Sequence, residues 1–99
     1  MLRINPRELE IVLGILKTYV PDIPVWAFGS RVHGENLKPY SDLDLVLVTE
    51  VPVDSQRFAE LKDAFSESEL PFKVDVLDWS TTNAQFQKLI QENYLIVKS

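Results

Sequence analysis

Apolar residues recur along this chain with two periods, and the switches between them outline an α/β domain. Leu9, Val12, Leu13, Leu16, Tyr19 and Val20 fall three or four positions apart, which gathers them on one face of a helix. Asn5-Pro6-Arg7-Glu8 supplies the start: Asn5 can cap, Pro6 suits the first turn and Glu8 occupies the capping-box position. Pro21 and Pro24 end that helix. Val25 to Phe28 then reads as a short strand running into Gly29-Ser30, followed by a polar loop from Arg31 to about Pro39 that opens with a helical turn. Asp42 to Thr49 is the clearest strand. Its first part alternates, whereas Leu45-Val46-Leu47-Val48 is apolar throughout, as in a central strand covered on both faces.

The second half repeats the theme. Asp54 or Ser55 caps a helix whose Phe58, Leu61 and Phe65 face the core, and residues 67–71 form a polar connector. Val74 to Leu77 is a third strand, with Val74 and Val76 on one side and Asp75 on the other. Thr82 with Gln85 reads as a capping box ahead of Phe86, Leu89 and Ile90, and Tyr94 to Val97 as a final edge strand. Helix–strand–strand–helix–strand–helix–strand predicts one α/β domain over residues 1–99, a small mixed β-sheet flanked by helices.

Composition narrows the function. The 99 residues suffice for one core. The absence of Cys excludes disulfides, thiolate metal ligands and thiol nucleophiles. No run is long enough to cross a membrane, and the N-terminus lacks the apolar core of a secretory signal, so a cytoplasmic location is expected. A net charge of −5 argues against a broad nucleic-acid surface.

The chemistry concentrates between residues 29 and 44. Gly29 lets backbone approach a phosphate with no Cβ in the way, and the Ser30 hydroxyl with neighbouring N–H groups can donate to phosphate oxygens. Alone, such a pair is an ordinary turn. Here it precedes Asp42-Leu43-Asp44, whose two carboxylates lie on one face of a strand. Paired carboxylates repel unless a cation lies between them, and Mg²⁺ favours such a pair together with substrate phosphates. Asp75, on a neighbouring strand, is the candidate third ligand, so that three carboxylates hold two cations, one on a triphosphate and one acidifying an attacking hydroxyl. Asp78 would face the opposite side and suits a turn or a helix start. Arg31 either contacts phosphate, balances the carboxylates or forms a structural salt bridge. His33, the only His, reads as a solvent-facing loop residue, Lys38 and Tyr40 as rim residues, and Trp26 and Trp79 as packing residues able in principle to stack on a base.

At these residues the chain resembles the minimal nucleotidyltransferases (MNT) of the DNA polymerase β-like superfamily, whose hallmark is Gly-Ser, a spacer, Asp-x-Asp and a later strand bearing a third acid. Gly29-Ser30, Asp42-Leu43-Asp44 and Val74-Asp75-Val76 carry the resemblance, which spans nearly the whole chain. One departure stands out. Eleven residues separate Ser30 from Asp42, one more than usual in the family, and the extra residue falls around Glu35 to Pro39.

The resemblance implies a polymerase β-like palm fold and metal-dependent transfer of AMP from ATP to a hydroxyl, with release of pyrophosphate. It gives Gly29, Ser30 and Arg31 to the nucleotide. Asp42, Asp44 and Asp75 fall to catalysis and to two Mg²⁺ ions, with Mn²⁺ an alternative. Because the chain has little beyond the catalytic sheet, the remaining walls are expected from a second copy or another protein. Such chains resemble the antitoxin half of HEPN–MNT toxin–antitoxin pairs, in which AMP goes to a Tyr of a helical HEPN ribonuclease. Two other readings stay open: a non-catalytic module that neutralises its partner by binding, and a transferase acting on a small-molecule hydroxyl such as an aminoglycoside's.

Overall fold

A computed structural model of the chain describes residues 2–34 and 37–99. The elements follow the order α1 (Pro6–Tyr19), β1 (Val25–Phe28), α2 (Ser30–His33), β2 (Leu43–Leu47), α3 (Ser55–Ser66), β3 (Val74–Asp78), α4 (Ala84–Glu92) and β4 (Leu95–Lys98), with a 3₁₀ turn at Trp79–Thr81. The α1 capping box forms as its sequence predicts: the Glu8 N–H donates to Asn5 Oδ1 at 2.8 Å, and the Asn5 N–H donates to Glu8 Oε1 at 2.9 Å. Asp54 caps α3, its carboxylate accepting from the Arg57 N–H at 3.1 Å.

The strands form one mixed sheet in the order β3-β2-β1-β4. β1 pairs antiparallel with β2 and β4, whereas β2 and β3 run parallel, joined through α3 as parallel neighbours require. Strand alternation then assigns the faces. Val25, Ala27, Leu43, Leu45, Leu47 and Val76 turn toward α1 and α3, where they meet Val12, Leu16, Leu61 and Phe65 in the main core. Truncating one of the buried leucines among them to Ala would cost about 2–5 kcal/mol. The opposite face carries Trp26, Phe28, Asp44, Val46, Asp75 and Leu77, and α4 lies against it through an edge-to-face contact of Phe28 and Phe86 at 5.8 Å. Val46 is fully buried there, so central β2 is indeed covered on both sides.

One sequence expectation is corrected. The cap of α4 is Asn83, which accepts from the Phe86 N–H at 2.9 Å; the Thr82 hydroxyl donates instead to the Asp78 carbonyl at 2.7 Å, so no Thr82–Gln85 box forms. Trp26 and Trp79 pack as expected: Tyr94 stacks on Trp26 at 4.2 Å and Trp79 meets it edge-on at 5.5 Å. The extra spacer residue expected around 35–39 falls partly outside the described residues, since 35 and 36 are among those not described.

Candidate active site

The site is built by three strands ending in one row. Phe28 of β1 pairs with Asp44 of β2, and Asp44 pairs with Asp75 of β3. Residues paired across neighbouring strands point to the same face. The parallel register therefore brings Asp44 and Asp75 side by side, and Asp42 stands two positions before Asp44, just ahead of β2.

Gly29 closes the row from the other side. Its backbone sits at φ 81° and ψ −159°, a region open essentially to Gly alone. A Cβ at this position would overlap the Asp44 carboxylate. Backbone strain and steric room thus demand Gly independently. After it the chain turns into α2, in which the Val32 and His33 N–H groups both donate to the Gly29 carbonyl, at 3.0 and 3.1 Å. The Ser30 and Arg31 N–H groups precede those first intrahelical donors and stand at the open end of the turn. Gly34, at φ 77°, ends α2 in the left-handed region, its N–H donating to the Ser30 carbonyl at 2.8 Å.

Electrostatically the acids are unresolved. Burial raises the Asp44 pKa to about 6, and the neighbouring Asp75 and Asp42 charges push it the same way. Asp44 accepts no hydrogen bond among the described residues. Asp75 has a loose partner, the Lys73 ammonium at 3.4 Å. Among the described residues, no three acids or histidines stand close enough to hold a metal as they are. A half-buried carboxylate with no donor, beside two more, nonetheless suits an oxygen-seeking divalent cation.

Two open depressions meet at this row, both lined by Phe28, Asp44 and Phe86. A groove of about 780 Å³ continues past Asp75 and Lys73 along β3. A cleft of about 420 Å³ continues past Gly29 and His33 to Leu89 and Asn93. The sequence reading had missed Phe28 and Phe86. Strand alternation from Asp44 would have found Phe28, whereas Phe86 needs the position of α4.

Arg31, given to the nucleotide by the resemblance, is 5% exposed. Its Nε donates to the Ser41 carbonyl at 2.8 Å, Nη1 to the Arg3 carbonyl at 2.9 Å and Nη2 to the Pro39 carbonyl at 3.1 Å. Its guanidinium packs 4.0 Å above the Phe72 ring. Three of its donors are thus taken by backbone carbonyls, and among the described residues it forms no salt bridge. Asp78 behaves as expected. It faces away from Asp75, and its carboxylate accepts from the Ser80 N–H at 3.0 Å at the start of the 3₁₀ turn.

Comparison with known proteins agrees with this geometry. Residues 9–98 match the nucleotidyltransferase domain family. The chain is 50% identical over 97 residues to the probable protein adenylyltransferase MntA of Haemophilus influenzae, covering 98% of this chain and 84% of that protein. It is similar in fold to a toxin–antitoxin complex crystallised with AMP-PNP, with a TM-score of 0.72 at 19% identity over 90% of this chain and 71% of that one. It is likewise similar to a complex of tri-AMPylated Shewanella oneidensis HEPN toxin with MNT antitoxin, with a TM-score of 0.66 at 18% identity over 92% and 69% of the two chains.

Proposed function

Because this chain belongs to the nucleotidyltransferase domain family, we propose that it moves AMP from ATP to a Tyr hydroxyl of a HEPN ribonuclease partner, acting as the antitoxin of that pair in the cytoplasm. Half of its residues are shared with MntA, itself named a probable protein adenylyltransferase. The HEPN toxin in the related Shewanella complex is AMPylated. The observation that carries the catalytic reading is Asp44: a half-buried carboxylate with raised pKa, without a hydrogen-bond donor among the described residues, pressed against Gly29 and aligned with Asp75. Perturbed acids beside open clefts are where catalytic sites are sought.

In this reading Gly29 and Ser30 cradle the triphosphate through backbone N–H groups and the Ser30 hydroxyl. Asp42, Asp44 and Asp75 would hold two Mg²⁺ ions, or Mn²⁺, whose charge would offset that of the phosphates and make the acceptor hydroxyl more acidic. The acceptor oxygen bonds to the α-phosphorus as the bond to the β-phosphate oxygen breaks. Pyrophosphate leaves and the hydroxyl proton passes toward Asp75. Most of the acceleration comes from positioning and charge stabilisation. Among the described residues no helix is long and apolar enough to cross a membrane, in keeping with such a location.

The test is intact mass spectrometry of the protein and a HEPN partner incubated with MgATP. The partner gains mass in whole AMP units, and Asp42→Asn or Asp44→Asn abolishes the gain while leaving the fold intact. Toxin neutralisation with no mass change would replace this reading by the binding module. A mass-silent protein that labels an aminoglycoside would replace it by the small-molecule transferase.

A further inference from the structure

We infer that Arg31 is a positioning residue that fixes Asp42 relative to Ser30, independently of the length of the spacer between them. The inference rests on the proposed roles of Ser30 and Asp42 for its functional meaning, but its geometric content does not. Arg31 follows Ser30 directly, so its backbone belongs to the phosphate turn. Its side chain reaches the far end of the spacer: Nε holds the Ser41 carbonyl at 2.8 Å, next to Asp42, and Nη2 holds the Pro39 carbonyl at 3.1 Å. The Phe72 ring under its guanidinium, at 4.0 Å, lies three residues before Asp75 on the segment leading into β3. Nη1 and the Arg31 carbonyl both bind Arg3, at 2.9 and 2.7 Å, which fixes the residue from behind. One planar side chain therefore touches every segment that delivers a proposed catalytic group.

The chemistry explains why Arg stands there. Three carbonyls converge on a fixed fork of donors, which only a guanidinium presents, and its flat face packs on an aromatic ring. A Lys at this position keeps the charge but offers a single nitrogen on a stem that cannot span Pro39, Ser41 and Arg3 together. Because Pro39 and Ser41 are pinned directly to α2, a residue added or removed before them does not shift Asp42. On this inference the long spacer leaves Asp42 in place beside Asp44, whose carboxyl feels the Asp42 charge.

The test compares wild type, Arg31→Lys, deletion of Asn36 and the double variant. The first readout is amide hydrogen exchange, which does not depend on catalysis. The Ser41 N–H, bonded to the Lys38 carbonyl at 3.0 Å, and the Leu43 N–H, bonded to the Lys73 carbonyl at 2.9 Å, are the probes. Arg31→Lys accelerates exchange at both by at least about tenfold, the effect of losing one to two net hydrogen bonds, while Ala27 and Leu45 keep their protection. The second readout is AMP transfer. Arg31→Lys lowers kcat by about 100-fold, as ångström-scale misplacement does, with KM for ATP nearly unchanged. Deletion of Asn36 alone is close to silent, and it becomes damaging only when combined with Arg31→Lys. Unchanged exchange at Ser41 and Leu43, or exchange accelerated equally throughout the core, overturns the inference. So does a raised KM with kcat intact, which would return Arg31 to the phosphates, and so does a deletion as damaging as Arg31→Lys. If wild type transfers no AMP while Arg31→Lys still accelerates exchange at Ser41 and Leu43 alone, the proposed function is overturned and the positioning role stands.

Discussion

Asp44 and Asp78 are the same residue type on adjacent strands of one sheet, yet the fold treats them in opposite ways. Asp78, 5% exposed, is pushed up by burial, but donors outweigh that effect and hold its pKa below the usual value. The Val53 N–H donates to it at 2.8 Å, and the Thr49 and Ser80 hydroxyls donate as well, at 2.5 and 2.6 Å. Asp44 keeps more of its surface open to solvent but accepts no hydrogen bond among the described residues, and burial raises its pKa to about 6. A buried carboxylate whose lone pairs are filled ties a loop to a strand. One left without donors beside two like charges destabilises the metal-free protein and gains its partner only from a ligand. The contrast separates the structural end of β3 from its chemical end.

The sharpest way to break the comparison is to neutralise Asp44. Asp44→Asn should lower AMP transfer by at least about 10³-fold, the scale of losing a central electrostatic group. The same change removes a repelled charge, so melting in chelator at pH 7 should be no lower than wild type, and higher if repulsion dominates. The pH dependence carries the sign. A carboxyl whose folded pKa, about 6, exceeds its unfolded value makes the folded state bind the extra proton, so metal-free stability rises as pH falls from 7 to 5. Asp44→Asn should abolish that rise. Unchanged transfer, or a variant that loses stability as Asp78 variants do, would put Asp44 in the structural class.

Gly29→Ala comes next. A Cβ at φ 81° that also overlaps the Asp44 carboxylate must displace either the turn or the acid. The expected cost is about 1–3 kcal/mol of stability and about 100-fold in transfer, read by denaturant melts and labelled-ATP assays. Full activity would show that the phosphate turn and Asp44 need not touch.

Asp78→Ala tests the other end. It strands the Val53 N–H and two hydroxyls, at about 2–4 kcal/mol in total, while transfer per folded molecule stays at the wild-type level because the change lies on the opposite face from Asp75. Its pH dependence runs opposite to that of Asp44: the stability Asp78 contributes is present above the unfolded value of about 3.9 and is lost as pH falls through its lower folded value. Urea midpoints from pH 5 to pH 2.5 should converge for wild type and variant.

Local rules made half of this contrast legible. The Asn5 and Asp54 caps, the element order, the mixed sheet and the alternation separating Asp75 from Asp78 all depend on neighbours within a few positions, and they appear as the sequence implies. The Asp42–Asp44 pair was legible for the same reason. What could not be read depends on partners far along the chain. Thr49 and Val53 reach the Asp78 carboxylate across 29 and 25 positions. The carbonyls of Arg3, Pro39 and Ser41 around Arg31 could not be read either, since they come from segments up to 28 positions away.

The smallest expected effect concerns Lys73, which makes Asp75 an intermediate case between the two ends. Its ammonium lies 3.4 Å from the Asp75 carboxylate, and both side chains are substantially exposed. A pair so open contributes at most about 1 kcal/mol, so Lys73→Ala should barely move the melting temperature. Its effect on metal binding should nevertheless have a definite sign. If Asp75 belongs with Asp44, Lys73 competes with the divalent cation for the same oxygens, and removing it should tighten Mn²⁺ binding up to about fivefold in low salt. The gain should fade as added salt screens the exposed ammonium. Mn²⁺ titrations of wild type and Lys73→Ala at two ionic strengths read this directly. Tighter binding assigns Asp75 to the cation, whereas weaker or unchanged binding makes Lys73–Asp75 an ordinary surface pair and leaves Asp42 and Asp44 to hold the metal alone.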